Sequence, residues 1–138
     1  MSCPNANERH SYVTLATNDE YAIGALVLGY SLRRAGTNKE MAILITEGVS
    51  HGFREILEGV YDSVIVVKPL QSLDEHNLKL LRRLNLGITY TKLYCWKLIQ
   101  FSKCVFLDAD TISDFHGTGS LNNCFLTTVT FSRNGNIE

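Results

Sequence analysis

Two carboxylates one residue apart, Asp108 and Asp110, close the apolar run CVFL in the stretch CVFLDADT. Negative charge at the end of an apolar segment is costly unless something compensates it. A hard divalent cation would do so. Such ions take oxygen ligands, often from only one or two carboxylates, and keep their other positions for water and substrate phosphate. Asp side chains at i and i+2 can share one ion if the backbone turns between them, and Ala109 is too small to obstruct that turn. Lys92 and Arg83 add donors suited to a diphosphate, arginine as a fork and lysine as a point charge. Together these residues suggest metal-assisted chemistry on a phosphorylated substrate. The plain alternative is a solvated acidic turn, with Lys92 a solvated side chain in the first turn of a helix.

These residues need a scaffold that brings them together. SYVTLAT (11–17) alternates and is rich in β-branched and aromatic residues, so it predicts a strand. The segment after it repeats apolar residues at helical spacing. Asn18 or Asp19 can cap its start, Arg33 and Arg34 lie in its last turn, and Gly36 stops it. EMAILIT (40–46) predicts a buried strand, and VSHGFREILEGVY (49–61) a helix with Phe53, Ile56, Leu57 and Val60 on one face. DSVIVVKPL (62–70) is a third strand, ended by Pro69, which lacks a backbone donor. The charged stretch 71–88 predicts a short helix or an ordered loop. TKLYCWKLIQFS (91–102) predicts a helix with Leu93, Trp96, Leu98 and Ile99 toward the core, and KCVFLD (103–108) a fourth strand. The six tyrosines mostly fit core or half-buried positions.

This β-α-β-α-β-loop-α-β order implies an α/β fold with a largely parallel sheet flanked by helices. In such sheets ligands bind beyond the carboxyl ends of the strands. Thr17-Asn18-Asp19 ends strand one and Asp108-Ala109-Asp110 ends strand four, so the two places share a rim if the strands run parallel. Thr17-Asn18 reads equally as a helix cap.

Composition narrows the class. A chain of 138 residues with 45% hydrophobic and 20% charged residues is globular in character. A formal net charge of −1 gives no field that attracts nucleic acid or anionic lipid. The runs GALVLGY and SVIVV fall far short of the ~20 apolar residues that span a bilayer. The start MSCPNANERH lacks a signal-peptide core, so a cytoplasmic location is expected. Cys3, Cys95, Cys104 and Cys124 form no CxxC pair and predict reduced, structural thiols. After Thr111 the sequence turns rich in Ser, Thr, Asn and Gly, and only CFLTTVTF (124–131) has strand character.

YVTLATNDEYAIGALVLGYSLRR and GITYTKLYCWKLIQFSKCVFLDADT, in this order and at this separation, closely resemble the glycogenin family of family 8 retaining glycosyltransferases, the self-glucosylating primers of glycogen synthesis. The similarity covers roughly residues 11–111. It implies a GT-A-type, Rossmann-like nucleotide-sugar-binding sheet, a Mn²⁺ cofactor and UDP-glucose as donor. Leu15, Thr17, Asn18 and Tyr21 match the segment that cradles uridine. Arg83 and Lys92 match the diphosphate and donor contacts, with Lys92 in the catalytic role, and Thr89 matches a threonine beside the site. Asp108 and Asp110 match the metal-binding aspartates, and Ala109 a nucleotide contact. A full-length glycogenin-family partner, by dimerisation, and glycogen synthase are the protein partners implied, with no nucleic acid and no membrane.

The chain departs from the family pattern in two places. Arg83-Leu84-Asn85-Leu86-Gly87 stands where the family usually reads R-P-E-L-G, so the fixed turn of proline is lost. Past Thr111 the resemblance stops, before the family's third metal ligand (a His), its DQG region and its acceptor tyrosine. His116 lies too close to the acidic pair for that ligand role. The expected organisation is therefore a polar tail (1–10), the nucleotide-sugar-binding part (11–111) and a divergent tail (112–138), one strand or disordered, that reads like the product of an alternative exon or an intron read-through. On this reading the chain is a truncated isoform with impaired or no activity, or a non-catalytic fragment that binds a nucleotide or a partner. CVFLDADT also fits the D-x-D-x-T signature of haloacid-dehalogenase-type phosphotransferases. That class needs a downstream lysine, and the 28 residues after Asp110 contain none.

Overall fold

In a computed structural model that describes residues 9–69, 90–112 and 129–132, alternation along the first segment is what commits it to a strand. β1 (His10–Ala16) sends Tyr12 and Ala16 into one apolar cluster and Val13 and Leu15 into another, on opposite faces of the sheet. The elements that follow are α1 (Asp19–Arg34), β2 (Glu40–Ile45), α2 (His51–Val60), β3 (Ser63–Val66), a 3₁₀ helix (Tyr90–Lys97), β4 (Lys103–Phe106) and β5 (Val129–Ser132). They form a five-stranded sheet in the order β3-β2-β1-β4-β5. β1 pairs in parallel with both β2 and β4, β2 pairs in parallel with β3, and β5 runs antiparallel to β4. This is the expected α/β fold. No helix among the described residues is long and apolar enough to cross a membrane.

The sheet is covered on both faces, which explains the unbroken apolar run of β2: Met41 to Ile45 are all fully buried. Helices α1 and α2 supply Ala22, Ala25, Leu28, Leu32, Leu57 and Val60 on one side. The 3₁₀ helix and the segment after it supply Cys95, Leu98 and Phe101 on the other. Burial pushes the Cys95 thiol up to about 12, with Cys104 nearby adding to the shift, and burial alone pushes Cys104 up to about 11. Both stay protonated packing groups, as the sequence predicts.

Local chemistry sets the ends of α1. The Asn18 side chain accepts from the Tyr21 N–H at 3.0 Å, which resolves the choice between Asn18 and Asp19 as cap. At the other end Gly36 takes φ +74. Its N–H donates to the Arg33 carbonyl and the Thr37 N–H to the Leu32 carbonyl, a Schellman stop. Just before that stop, the Arg33 side chain reaches across to the α2–β3 connection. Its guanidinium donates to the Val60 carbonyl at 3.1 and 2.9 Å and to Asp62 Oδ1 at 2.9 Å, while Asp62 Oδ2 accepts from the Met41 N–H at 2.8 Å. One carboxylate thus joins α1, the start of β2 and the start of β3.

The structure corrects several sequence expectations. Residues 91–102 do not form an α-helix; a 3₁₀ helix ends at Lys97. Leu93, Trp96 and Ile99 do share a face at three-residue spacing, but it is the outer one: Trp96 is 57% exposed and Ile99 70%. The inner side is made by Thr91, Cys95 and Leu98, all buried. Ile56 also faces solvent at 50% exposure, because the buried line of α2 is centred on Leu57 with Phe53 and Val60 one turn either side. Tyr12 and Tyr61 are buried, whereas Tyr21 and Tyr30 lie on the open side of α1. The stretch 71–88 lies outside the described residues. In the tail, β5 pairs with β4 from Lys103↔Ser132 to Phe106↔Val129, so β4 is not left as an open edge.

Hydrogen bonds from Arg33 and Met41, together with the charge of Arg33, outweigh the opposing effect of desolvation and hold the Asp62 carboxyl below the usual range. A depressed native value means the stabilisation is complete above the unfolded pKa of about 3.9 and is lost as pH falls through the native value. Asp62→Asn should therefore lower urea-unfolding stability at pH 7 by about 1 kcal/mol, as expected for half-exposed hydrogen-bonded charge. The gap from the parent protein should shrink below about pH 4; a gap constant down to about pH 2 contradicts the assignment.

Candidate functional site

The chain leaves β1 toward β2 on one side of the sheet, and β4 later returns on β1's other side. The crevice between the carboxyl ends of β1 and β4 is therefore a topological switch point, the usual ligand site of open parallel sheets. Val13 is level with Phe106, and the Leu107 N–H extends the ladder by donating to the Val13 carbonyl at 2.8 Å. Both strands then end at the same edge. The acidic pair and the first-strand rim share it, as a common cleft requires.

Past Leu107 the backbone does turn between the two carboxylates. The Thr111 N–H donates to the Asp108 carbonyl at 3.1 Å and the Thr111 hydroxyl to the same oxygen at 2.6 Å, closing a turn over 108–111. Ala109 is buried against α1, and its carbonyl lies only 2.5 Å from where a Cβ on Gly24 would stand. Glycine at 24 is thus the condition for the turn to dock on the helix. Asp110 is exposed. The Lys92 ammonium forms an ion pair with Asp108 Oδ1 and sits 5.2 Å from the centre of the Phe106 ring. The pair is about one-third exposed on each side, 38% for Lys92 and 31% for Asp108.

The first-strand rim is fixed from below. The Thr46 hydroxyl donates to the Thr17 carbonyl at 2.7 Å, and a Cβ on Gly48 would come within 2.4 Å of that oxygen. The Asp19 carboxylate accepts from the Ser50 N–H at 2.7 Å, tying the first turn of α1 to the start of α2. Asn18 is committed to its cap, and Tyr21 stands exposed in the first turn. Leu15 lies beneath the rim in the apolar cluster. The structure therefore brings Thr17, Asn18, Tyr21, Lys92, Asp108, Ala109 and Asp110 to one edge of the sheet. Arg83 and Thr89 lie outside the described residues.

Two acidic side chains in one turn form a hard oxygen donor set, and Asp108 already holds a cationic group, so the residues suit a divalent ion. No group of three or more His, Cys, Asp or Glu side chains that could hold a metal occurs among the described residues. Hard divalent ions held by one or two carboxylates commonly take further ligands from water and phosphate. Sequence reasoning missed Gly24, Thr46, Gly48 and Thr111, which place the site without offering it reactive groups. Gly24 had a readable signal, an isolated glycine inside a helical pattern.

A family model described as glycosyl transferase family 8 matches residues 12–123. Glycogenin-1 of Mus musculus is 54% identical over 102 residues, which make up 74% of this chain and 31% of that protein. Glycogenin of Neurospora crassa is 47% identical over 103 residues, covering 74% of this chain and 15% of that one. The chain thus spans a third or less of the length of these relatives. Among solved structures, the galactosyltransferase LgtC in complex with donor and acceptor sugar analogues aligns with a TM-score of 0.56 at 18% identity, over 77% of this chain and 40% of that one. The bifunctional glycosyltransferase WbbM aligns with a TM-score of 0.53 at 20% identity, over 80% of this chain and 20% of that one. Both likenesses establish the fold.

Gly24→Ala should lower unfolding stability by about 1–3 kcal/mol, since the clash is with backbone and not with a yielding side chain. Gly59→Ala in α2, whose added Cβ meets nothing within 4 Å, should instead gain up to about 1 kcal/mol. Equal effects at the two positions in urea denaturation would refute the docking role of Gly24.

Proposed function

The chain belongs to glycosyl transferase family 8, and from that premise we propose that its cleft binds a nucleotide sugar, with UDP-glucose as donor, for glycogenin-like glucosyl transfer. The observation that supports this reading is that the Asp108–Thr111 turn follows β4 at the same carboxyl edge of the sheet where Thr17–Asn18 follows β1, at the β1/β4 switch point. In the reaction the bond between the anomeric carbon of glucose and the diphosphate breaks, and one to an acceptor hydroxyl forms.

Each residue has a physical role in that scheme. The uridine end lies along Thr17, Asn18 and the exposed ring of Tyr21. Leu15 supports this rim from the apolar cluster below. Ala109, held on Gly24, sets the depth at which a nucleotide can approach the helix. Asp108 and Asp110 would hold Mn²⁺. When bound, the ion supplies Lewis-acid neutralisation of the charge that develops on the departing diphosphate. Lys92, which pairs with Asp108 in the structure, would donate to the same group as a point charge. Arg83 and Thr89 complete the proposed donor contacts. The partners proposed with this activity are a glycogenin-family chain, by dimerisation, and glycogen synthase.

Calorimetric titration of UDP tests the reading, since it separates binding from transfer. Affinity should rise at least tenfold when Mn²⁺ is added, and Asp108→Asn and Asp110→Asn should each abolish that rise. A UDP affinity indifferent to Mn²⁺ and to both substitutions would overturn the assignment. Glucose release from UDP-glucose, measured in parallel, reports whether the bound donor also reacts.

A further inference from the structure

One of the two carboxylate oxygens of Asp108 is already engaged by a cation. Asp108 Oδ1 accepts the Lys92 ammonium, and the ammonium is steadied from the other side by the face of Phe106. An ammonium and a dication cannot both sit against one carboxylate oxygen without strong repulsion. The lysine stem is flexible and its three donors rotate, so the ammonium can leave without disturbing the strand. Resting on the nucleotide-and-metal reading above, we propose that Lys92 is a displaceable internal counter-ion of Asp108. It competes with the divalent cation and is drawn off by the donor's diphosphate.

The consequence is a coupling between ligands. A cation arriving alone must expel the ammonium into water. A cation arriving with a diphosphate finds the ammonium a new anionic partner, so each ligand strengthens the other by the same factor. The exchange breaks one charge-assisted hydrogen bond to Asp108 and makes one to phosphate, with no change in protonation. Lys92 would thereby make metal loading conditional on nucleotide. This is a different task from holding the diphosphate, because it acts even when no nucleotide is present.

The test is a Mn²⁺ titration followed by the electron paramagnetic resonance of the free ion, with and without UDP. Lys92→Met keeps a side chain able to pack on Phe106 but removes the charge, and Lys92→Gln provides a second removal of charge should the first not fold. Without UDP both variants should bind Mn²⁺ about two- to tenfold more tightly than the parent chain, the range for losing a partly exposed competing charge. The factor by which UDP enhances Mn²⁺ affinity should shrink accordingly. Mn²⁺ affinity that is unchanged or weaker in both variants overturns the inference. So does a parent chain in which UDP leaves Mn²⁺ affinity unaltered, a result that needs no variant. If Mn²⁺ binds the parent and is lost in Asp108→Asn while the Lys92 variants bind no tighter, the inference fails and the metal reading stands. If neither the parent chain nor any variant binds Mn²⁺ even with UDP, both fail.

Discussion

The parallel ladder between β1 and β4 is the constraint on which the site depends. It joins segments far apart in sequence and makes them end at one edge, where neither alone could form a cleft. Because the two strands run parallel with Val13 level with Phe106, the segments that follow them leave the sheet at the same carboxyl edge. A register slip of one residue would send the side chains of β4 to the opposite faces and move the acidic turn with them. Burial on both faces opposes such a slip: Cys104 and Phe106 are sequestered under the 3₁₀ helix, and Leu107 on the α1 side. The apolar run before the acids is thus what aims them.

Placing charge there has an electrostatic cost that the chain meets locally. Asp108 finds an ammonium, Asp110 stays in water, and the Asp108 carbonyl accepts twice from Thr111. The same arrangement makes the site responsive. A charge held by a partly exposed ion pair is stabilised only modestly, so a stronger cation can replace its partner. A fully buried pair would have served stability no better and exchange worse.

Much of this was legible in the residues. Strand alternation, the Asn18 cap, the Gly36 stop and the acidic pair all report local physics that the fold does not override. The reading went astray where tertiary packing chose between faces that the pattern leaves equivalent. Leu93, Trp96 and Ile99 are apolar and evenly spaced, yet the buried side is the one that carries Thr91, Cys95 and Leu98. Ile56 fails for a related reason, since a ten-residue helix has room for one buried line and Leu57 occupies it. Of the candidate site, the residues with reactive groups were readable and those that position them were not. Gly24 stands out in sequence as an isolated glycine in a helical pattern, but the pattern does not say which backbone it receives. CVFLDADT, read alone, fits two reaction classes; its place on β4 beside β1 and the match to glycosyl transferase family 8 separate them.

Helix α1 carries the last step, because one helix serves both the site and the core. Near its start Gly24 receives the Ala109 carbonyl, and one and a half turns later Gly29 receives Val60 and Tyr61, whose atoms would lie 2.6 and 3.0 Å from an added Cβ. Between these notches the Ala25 carbonyl accepts from the buried Tyr61 hydroxyl at 2.6 Å, and burial raises the phenol's pKa, so the donor proton stays in place. The helix is therefore clamped from two directions, by the site's turn and by the α2–β3 connection. Its freedom to rotate or slide is small, since either motion would drive a backbone or ring into a space that only glycine leaves open. The position of the Ala109 contact is thus tied to packing further along the same helix. The acidic turn inherits the rigidity of the core while its side chains remain free to exchange partners.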